Sequence, residues 1–203
     1  MASRRSSPAE LSISGLAVVA SLSVSLLVGC ATREFPITYV PQQNVPAIKN
    51  ADVVSVEVKV EDLQPVESMS WDAFNPISQK VTFRAKDAAG TIKTAAETEL
   101  GARGFKIGSG GALVTIQLGR LEAICGSGLA TGLTALGSTA MRVQVQSQTG
   151  KVLYSREIKG EANPLFATFY LRCARPELQG SLADAFRRLF ADPAFTTAIL
   201  ATH

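Results

Sequence analysis

Histidine is almost absent from this chain of 203 residues, because the only one is His203 at the end. The lack of histidine excludes a Ser-His-Asp triad, a Cys-His dyad and the usual His-containing zinc site. Two neighbouring carboxylates, Glu97 and Glu99, are two residues apart on a predicted helix, so they point to different faces and cannot act together. We therefore expect no catalytic residues, no metal and no cofactor.

An excess of charge of one sign is also lacking. The chain has 20 Lys and Arg against 17 Asp and Glu, a formal net charge of +3 at pH 7. The basic residues are scattered apart from two pairs, Arg172 with Arg175 and Arg187 with Arg188. Nucleic-acid binding needs a clustered basic face. The sequence therefore predicts no nucleic-acid partner.

One long hydrophobic run is present, from Leu11 to Val28, and it follows the basic residues Arg4 and Arg5. A basic start before an apolar stretch is typical of a signal peptide. The alternative is an uncleaved anchor helix, since 18 residues are just long enough to span a bilayer.

The end of this run, Leu27-Val28-Gly29-Cys30, resembles the lipobox of bacterial lipoproteins. In that family the cysteine thiol receives a diacylglyceryl group, the peptide is cut before the cysteine, and the new amino terminus is acylated. The resemblance implies a signal peptide at residues 1–29, lipidation at Cys30 and a membrane anchor there. By the usual sorting pattern, Ala31 in place of Asp implies the outer membrane, with the protein facing the periplasm.

Two further cysteines, Cys125 and Cys173, would then lie in an oxidising compartment, where an even pair suggests a disulfide. Residues 30–50 contain Pro36, Pro41 and Pro46, and prolines at this spacing stiffen a chain. We expect residues 30–50 to be the lipidated cysteine and a tether. The alternative is that the apolar members of this segment dock on the domain.

Residues 51–203 are expected to form a single α+β domain. A two-residue period at Val54 to Val60 predicts a strand, and Lys80 to Phe83 suggests a short edge strand. The same period in three successive segments predicts an antiparallel meander, and helical spacing predicts two main helices, Thr91 to Arg103 and Leu178 to Phe190. The predicted fold is a mixed or antiparallel sheet of about four to five strands, with both helices packed on it.

The strands of a meander reverse direction in turn, so Cys125, the segment from Gly126 to Gly137 and the segment from Glu161 to Cys173 should share one end of the sheet. This geometry favours a disulfide between Cys125 and Cys173. We read Gly126 to Gly137 as an uncharged apolar loop, which costs solubility unless something covers it. The predicted contact surface for a partner consists of Leu129, Leu133, Leu136, Arg172 and Arg175. The alternative is that this loop folds onto its own sheet.

Taken in order, these elements resemble the YajG family of uncharacterised bacterial outer-membrane lipoproteins. The resemblance rests on the Val-rich first strand ending at Asp62, on Leu100 to Phe105, on Gly150 to Arg156 and on Ala191 to Phe195. The chain departs from the family at Gln64, where arginine is usual. The family has no established catalytic residues, so the resemblance implies none here.

The leading hypothesis is a non-enzymatic lipoprotein on the periplasmic face of the outer membrane, which binds an envelope protein or supports envelope assembly. The alternative is an auxiliary lipoprotein of an ABC-type lipid transport system that binds lipid or another hydrophobic ligand. Such lipoproteins, and lipoprotein activators of peptidoglycan synthases, have similar folds, but fold does not determine function.

Overall fold

The computed structural model describes residues 34–64, 78–128, 132–162 and 170–202. Side chains are not described at 34–35, 78–82, 126–128, 132–134 and 170–173. The predicted signal peptide, Cys30 and Trp71 lie outside the described residues. Within the described ranges, no helix is long and apolar enough to cross a membrane.

The described residues form one mixed seven-stranded sheet and three α-helices. The strands are β1 (Glu34–Pro36), β2 (Ser55–Asp62), β3 (Ser78–Lys86), β4 (Lys106–Ile107), β5 (Ala112–Gly128), β6 (Gly132–Gln146) and β7 (Val152–Ala162). The helices are α1 (Ala88–Ala102), α2 (Tyr170–Ala191) and α3 (Pro193–Leu200). The α+β class and the meander of β5, β6 and β7 are as predicted.

The 17-residue strand β5 is the centre of the sheet. On one side it pairs with β6 along its whole length. On the other side its first half pairs in parallel with β2, and its second half pairs antiparallel with β3. The short strands β4 and β1 extend the sheet beyond β2 and β3, and β7 lies beyond β6.

The sheet has more strands than the four to five expected. Strands β1 and β4 have three and two residues, too few to show a two-residue period in the sequence. Strand β3 has nine residues and lies between β1 and β5, so it is not the short edge strand predicted there. The register between β5 and β6 shifts between Leu118 and Arg120, which marks a bulge or irregularity in the ladder.

The segment Gly126 to Gly137 is mostly strand, so its reading as a flexible loop was wrong. Strand β5 continues to Gly128 and β6 begins at Gly132, and the ladder between them includes the pair Ser127 and Leu133. The many Gly and Ala residues hide the two-residue period. Ladder hydrogen bonds join backbone groups, so this pairing does not need large side chains.

The helix ends follow known capping rules, with one exception. The Asp87 side chain accepts from the Gly90 N–H at the start of α1, and Gly104 follows the helix with φ of 97°, a left-handed conformation that favours glycine. The Asp192 side chain accepts from the Ala194 N–H and caps the start of α3. The exception is α2, which was expected to begin at Leu178, after Pro176. It begins at Tyr170 instead, so Pro176 lies inside the helix.

The helices pack on one face of the sheet, and two glycines let α2 approach closely. A Cβ added at Gly137 would lie 2.2 Å from the carbonyl oxygen of Glu177, and one added at Gly160 would lie 2.1 Å from that of Ser181. The core between these layers is filled by large apolar side chains, and those less than 2 % exposed include Phe83, Ile92, Leu100, Ile116, Leu118, Leu121, Met141, Leu178, Leu182, Phe186, Leu189 and Phe195.

Residues 34–50 lie on this domain instead of extending from it. Strand β1 pairs with the end of β3, Ile37 is buried, and the Ile48 N–H donates to the Arg103 carbonyl at 2.9 Å. The segment therefore matches the docked alternative and not the extended tether.

We expect Gly160→Ala to destabilise the protein by about 2 to 3 kcal/mol, because the new methyl group overlaps the α2 backbone. The matched control is Gly119→Ala, whose Cβ would meet only the Ala140 carbonyl oxygen, at 3.6 Å. That control should change the free energy of unfolding by less than about 0.5 kcal/mol. Urea unfolding of both variants is the measurement, and equal midpoints would contradict the close packing.

Candidate functional site

The predicted contact residues gather at one end of the sheet, which we call the hairpin end. Here β5 ends at Gly128, β6 begins at Gly132, and β3 begins at Ser78, opposite Gly128. Strand β7 ends nearby at Ala162, opposite Gly137. The meander therefore places its strand ends as the sequence predicts.

Among the described side chains near the hairpin end, Leu136 is apolar and exposed, with 44 % of its surface accessible. Its partner across the ladder, Ile124, is half-buried. Together they form an apolar pair on the face of the sheet opposite to the core. Leu133 pairs with Ser127, but its side chain is not described, and Leu129 lies outside the described residues.

Cys125 is buried near the hairpin end and is disulfide-bonded. The predicted partner, Cys173, lies in the first turns of α2, where side chains are not described. The pairing of Cys125 with Cys173 stays a prediction. The contacts of α2 bring its first turns to the same end of the sheet, because the Glu177 backbone contacts Gly137.

Arg172 and Arg175 lie in the first turns of α2, at the hairpin end. Arg175 is exposed, whereas the side chain of Arg172 is not described. The helix runs from here toward the opposite end, where Asp192 accepts hydrogen bonds from Tyr154 at 3.0 Å and Arg156 at 2.9 Å. The structure thus places Leu136 and Arg175 at one end of the sheet, and their role in partner contact stays a prediction.

Glu177 is a buried carboxylate that the sequence analysis did not single out. It is 1 % exposed, and its Oε2 atom has no hydrogen-bond partner. Burial raises the pKa of the Glu177 carboxyl, because the ionised form loses its hydration. Its helical position, between buried Ala174 and Ser181, could have indicated a core-facing carboxylate.

A second buried charge, Glu99, is paired. Glu99 is fully buried on α1 and forms an ion pair with Arg103 one turn later, which is 6 % exposed. Glu97 instead lies near Lys93, at 4.0 Å, on the solvent side. The prediction that Glu97 and Glu99 point to different faces agrees with these contacts.

Residues 34–50, which we call the N-terminal segment, supply further hydrogen bonds to Glu99. The Tyr39 hydroxyl and the Gln42 backbone N–H each donate to Glu99 Oε1 at 2.7 Å. Burial, followed by the hydrogen bond to Glu99, raises the pKa of Tyr39 above its ordinary value of 10.0. Arg103 donates to Gln42 Oε1 at 2.9 Å and lies 3.9 Å from the centre of the Phe190 ring. The buried pair thereby fastens the N-terminal segment to α1 and α2.

An open groove of about 400 Å³ lies between the N-terminal segment and α1. Its apolar lining includes Ile37, Pro41 and Ala95, and its polar rim contains threonines at helical spacing: Thr91, Thr94 and Thr98. The volume falls within the range of small-molecule sites, roughly 300 to 1,000 Å³. The described residues contain no group of three His, Cys, Asp or Glu side chains that could hold a metal.

We expect Arg103→Met to lower the free energy of unfolding by about 3 to 5 kcal/mol, because Glu99 would be left buried without its counter-charge. Limited proteolysis should then cut within residues 37–48. The control is Lys93→Met on the same helix, which removes an exposed partner and should cost less than about 0.5 kcal/mol. A similar decrease in the free energy of unfolding in both variants would show that the buried ion pair contributes no more to stability than the exposed one.

We expect Glu177→Gln to stabilise the protein at neutral pH. The pKa of Glu177 is raised in the folded state, so ionisation costs stability as the pH rises from the ordinary glutamate pKa, about 4.3, through the folded value. The advantage of the variant should therefore vanish below about pH 4, where both proteins carry a neutral group. Urea unfolding across this range is the measurement, and a pH-independent difference would contradict the account.

Comparisons with known proteins give a likeness of fold. No family model matches the chain, and no curated protein matches it. Among solved structures, it is similar to the crystal structure of protein XCC0632 from Xanthomonas campestris, described by the family model DUF330. The TM-score is 0.50 at 12 % identity, and the match covers 81 % of this chain and 93 % of the other. At this identity the two chains share an α+β fold, and the comparison supports nothing more specific.

Proposed function

We propose that this chain is a non-enzymatic lipoprotein, anchored at Cys30 in the outer membrane and facing the periplasm, which acts as a binding or envelope-assembly module. The lipobox-like end of the apolar run supports the anchor. The hairpin end is the surface through which it makes contact within the cell envelope.

The observation that carries the proposal is the exposed apolar pair at the hairpin end. Leu136 exposes 44 % of its surface next to Ile124, on a sheet that is held by paired strands on both sides of β5. Burying the exposed part of one leucine is worth about 1 kcal/mol, so a contact here would gain free energy from a preformed surface.

We expect Cys30→Ser to abolish incorporation of labelled palmitate and to leave the uncleaved precursor. Wild-type protein should carry the label and fractionate with the outer membrane. The matched control is Ala31→Asp, which keeps the acylated cysteine but should move the protein to the inner membrane by the sorting pattern. Labelling that persists in Cys30→Ser, or wild type in the soluble fraction, would refute the anchor.

The groove beside α1 favours one alternative, an auxiliary lipoprotein of a lipid transport system. Its apolar floor at Ile37 and Ala95 and its threonine rim would suit the chain and the polar head of a hydrophobic ligand. A lipid recovered with the purified protein, one per chain, would favour this alternative over the binding module.

A further inference from the structure

We propose that the hairpin end rests against the phospholipid bilayer, so that the partner of this apolar surface is the membrane in which the acyl chains of Cys30 are inserted. The inference depends on the proposed lipid anchor and adds an orientation to it. It follows from how far the anchor can reach and from the direction of β1 in the sheet.

The anchor is short because pairing begins soon after it. Strand β1 starts at Glu34, four residues after Cys30. An extended chain covers at most about 3.4 Å per residue, so Cys30 lies within about 14 Å of Glu34. The membrane surface must lie within that distance of the start of β1.

The ladder gives the position of Glu34 along the sheet. Glu34 pairs with Arg84, and Arg84 pairs with Glu122 of β5. From Glu122, the start of β5 at Ala112 is ten residues away, about 30 Å, whereas Gly128 at the hairpin end is six residues away, about 20 Å. The opposite end is therefore at least about 16 Å beyond the reach of the anchor.

The direction of β1 also points to the hairpin end. Strand β1 is parallel to β3, and β3 begins at the hairpin end, where Ser78 faces Gly128. Glu34 is thus the residue of β1 nearest that end. With the anchor fully extended, Gly128 still projects about 6 Å past Cys30, which matches the 5 to 10 Å depth at which interfacial segments sit in a bilayer.

The hairpin end offers an apolar and a basic side chain, the two kinds of group that a membrane contact uses. At the hairpin end Leu136 is exposed on the sheet face opposite to the core, next to Ile124. The adjacent start of α2 offers exposed Arg175 to anionic headgroups. At the opposite end Ile107 and Val152 are also exposed, beside the polar turns 108–111 and 147–151. The reach of the anchor and the direction of β1 therefore decide which of the two ends meets the lipid.

The experiment places a single tryptophan at chosen heights above the membrane. Trp71, the only tryptophan, is replaced by phenylalanine, and Leu133→Trp, Leu136→Trp or Thr149→Trp is added to the full-length lipoprotein. Each purified lipoprotein is reconstituted in vesicles of phosphatidylethanolamine and phosphatidylglycerol that carry brominated acyl chains. Leu136 and Thr149 are exposed, so tryptophan at these positions does not disturb the core.

We expect quenching of about half of the fluorescence at position 133, less at position 136 and none at position 149, because 133 is nearest the turn of the hairpin. Mass spectrometry of the same samples reports acylation. Acylated protein with equal or no quenching at the three positions would overturn the inference and leave the anchor intact. Protein without acyl chains would overturn both proposals.

A photoreactive residue at Leu136 in cells gives an independent measurement. Adducts to phospholipid support the membrane as the partner. A discrete protein adduct in its place would overturn it and assign the hairpin end to a protein partner.

Discussion

The burial of Glu99 against Arg103 is the constraint on which the arrangement of this molecule depends. A buried ion pair requires further hydrogen bonds, and here Tyr39 and Gln42 supply them from a segment about 60 residues earlier in the chain. Those groups come from the N-terminal segment. If the segment left the domain, the Glu99–Arg103 ion pair would therefore lose these hydrogen bonds. What looks like a proline-containing tether is therefore part of the folded domain.

This constraint links the fold to the proposed function. A free tether of about 20 residues would hold the domain up to about 60 Å from the membrane and leave its orientation open. A segment fastened at Tyr39 and Gln42 and paired from Glu34 leaves only four residues between the proposed lipid and the sheet. The proposed anchor then acts as an orienting device, which brings one end of the sheet to the bilayer and leaves the uncovered sheet face and the opposite end for other contacts.

Much of the fold could be predicted from local periodicity. The meander, the bulge near Gly119, the end of α1 at Gly104 and the cap at Asp192 all have signals within a few residues. Three features of the fold have no such local signal in the sequence. Strand β1 is defined by its pairing with β3, the first turns of α2 precede a proline that usually marks a boundary, and the small residues of β5 and β6 resemble a loop. The site at Glu99 was missed because its partners Tyr39 and Gln42 are distant in sequence.

The most direct measurement is hydrogen exchange of the wild-type lipoprotein at two backbone amides, those of Gln42 and Ile48. Both are bonded in the fold, to the Glu99 carboxylate at 2.7 Å and to the Arg103 carbonyl at 2.9 Å. We predict protection at both amides comparable to that of α1, because they open only when the N-terminal segment detaches from the buried pair. Exchange at the rate of an unstructured peptide would show that the segment is a free tether and would remove the basis for a short, orienting anchor.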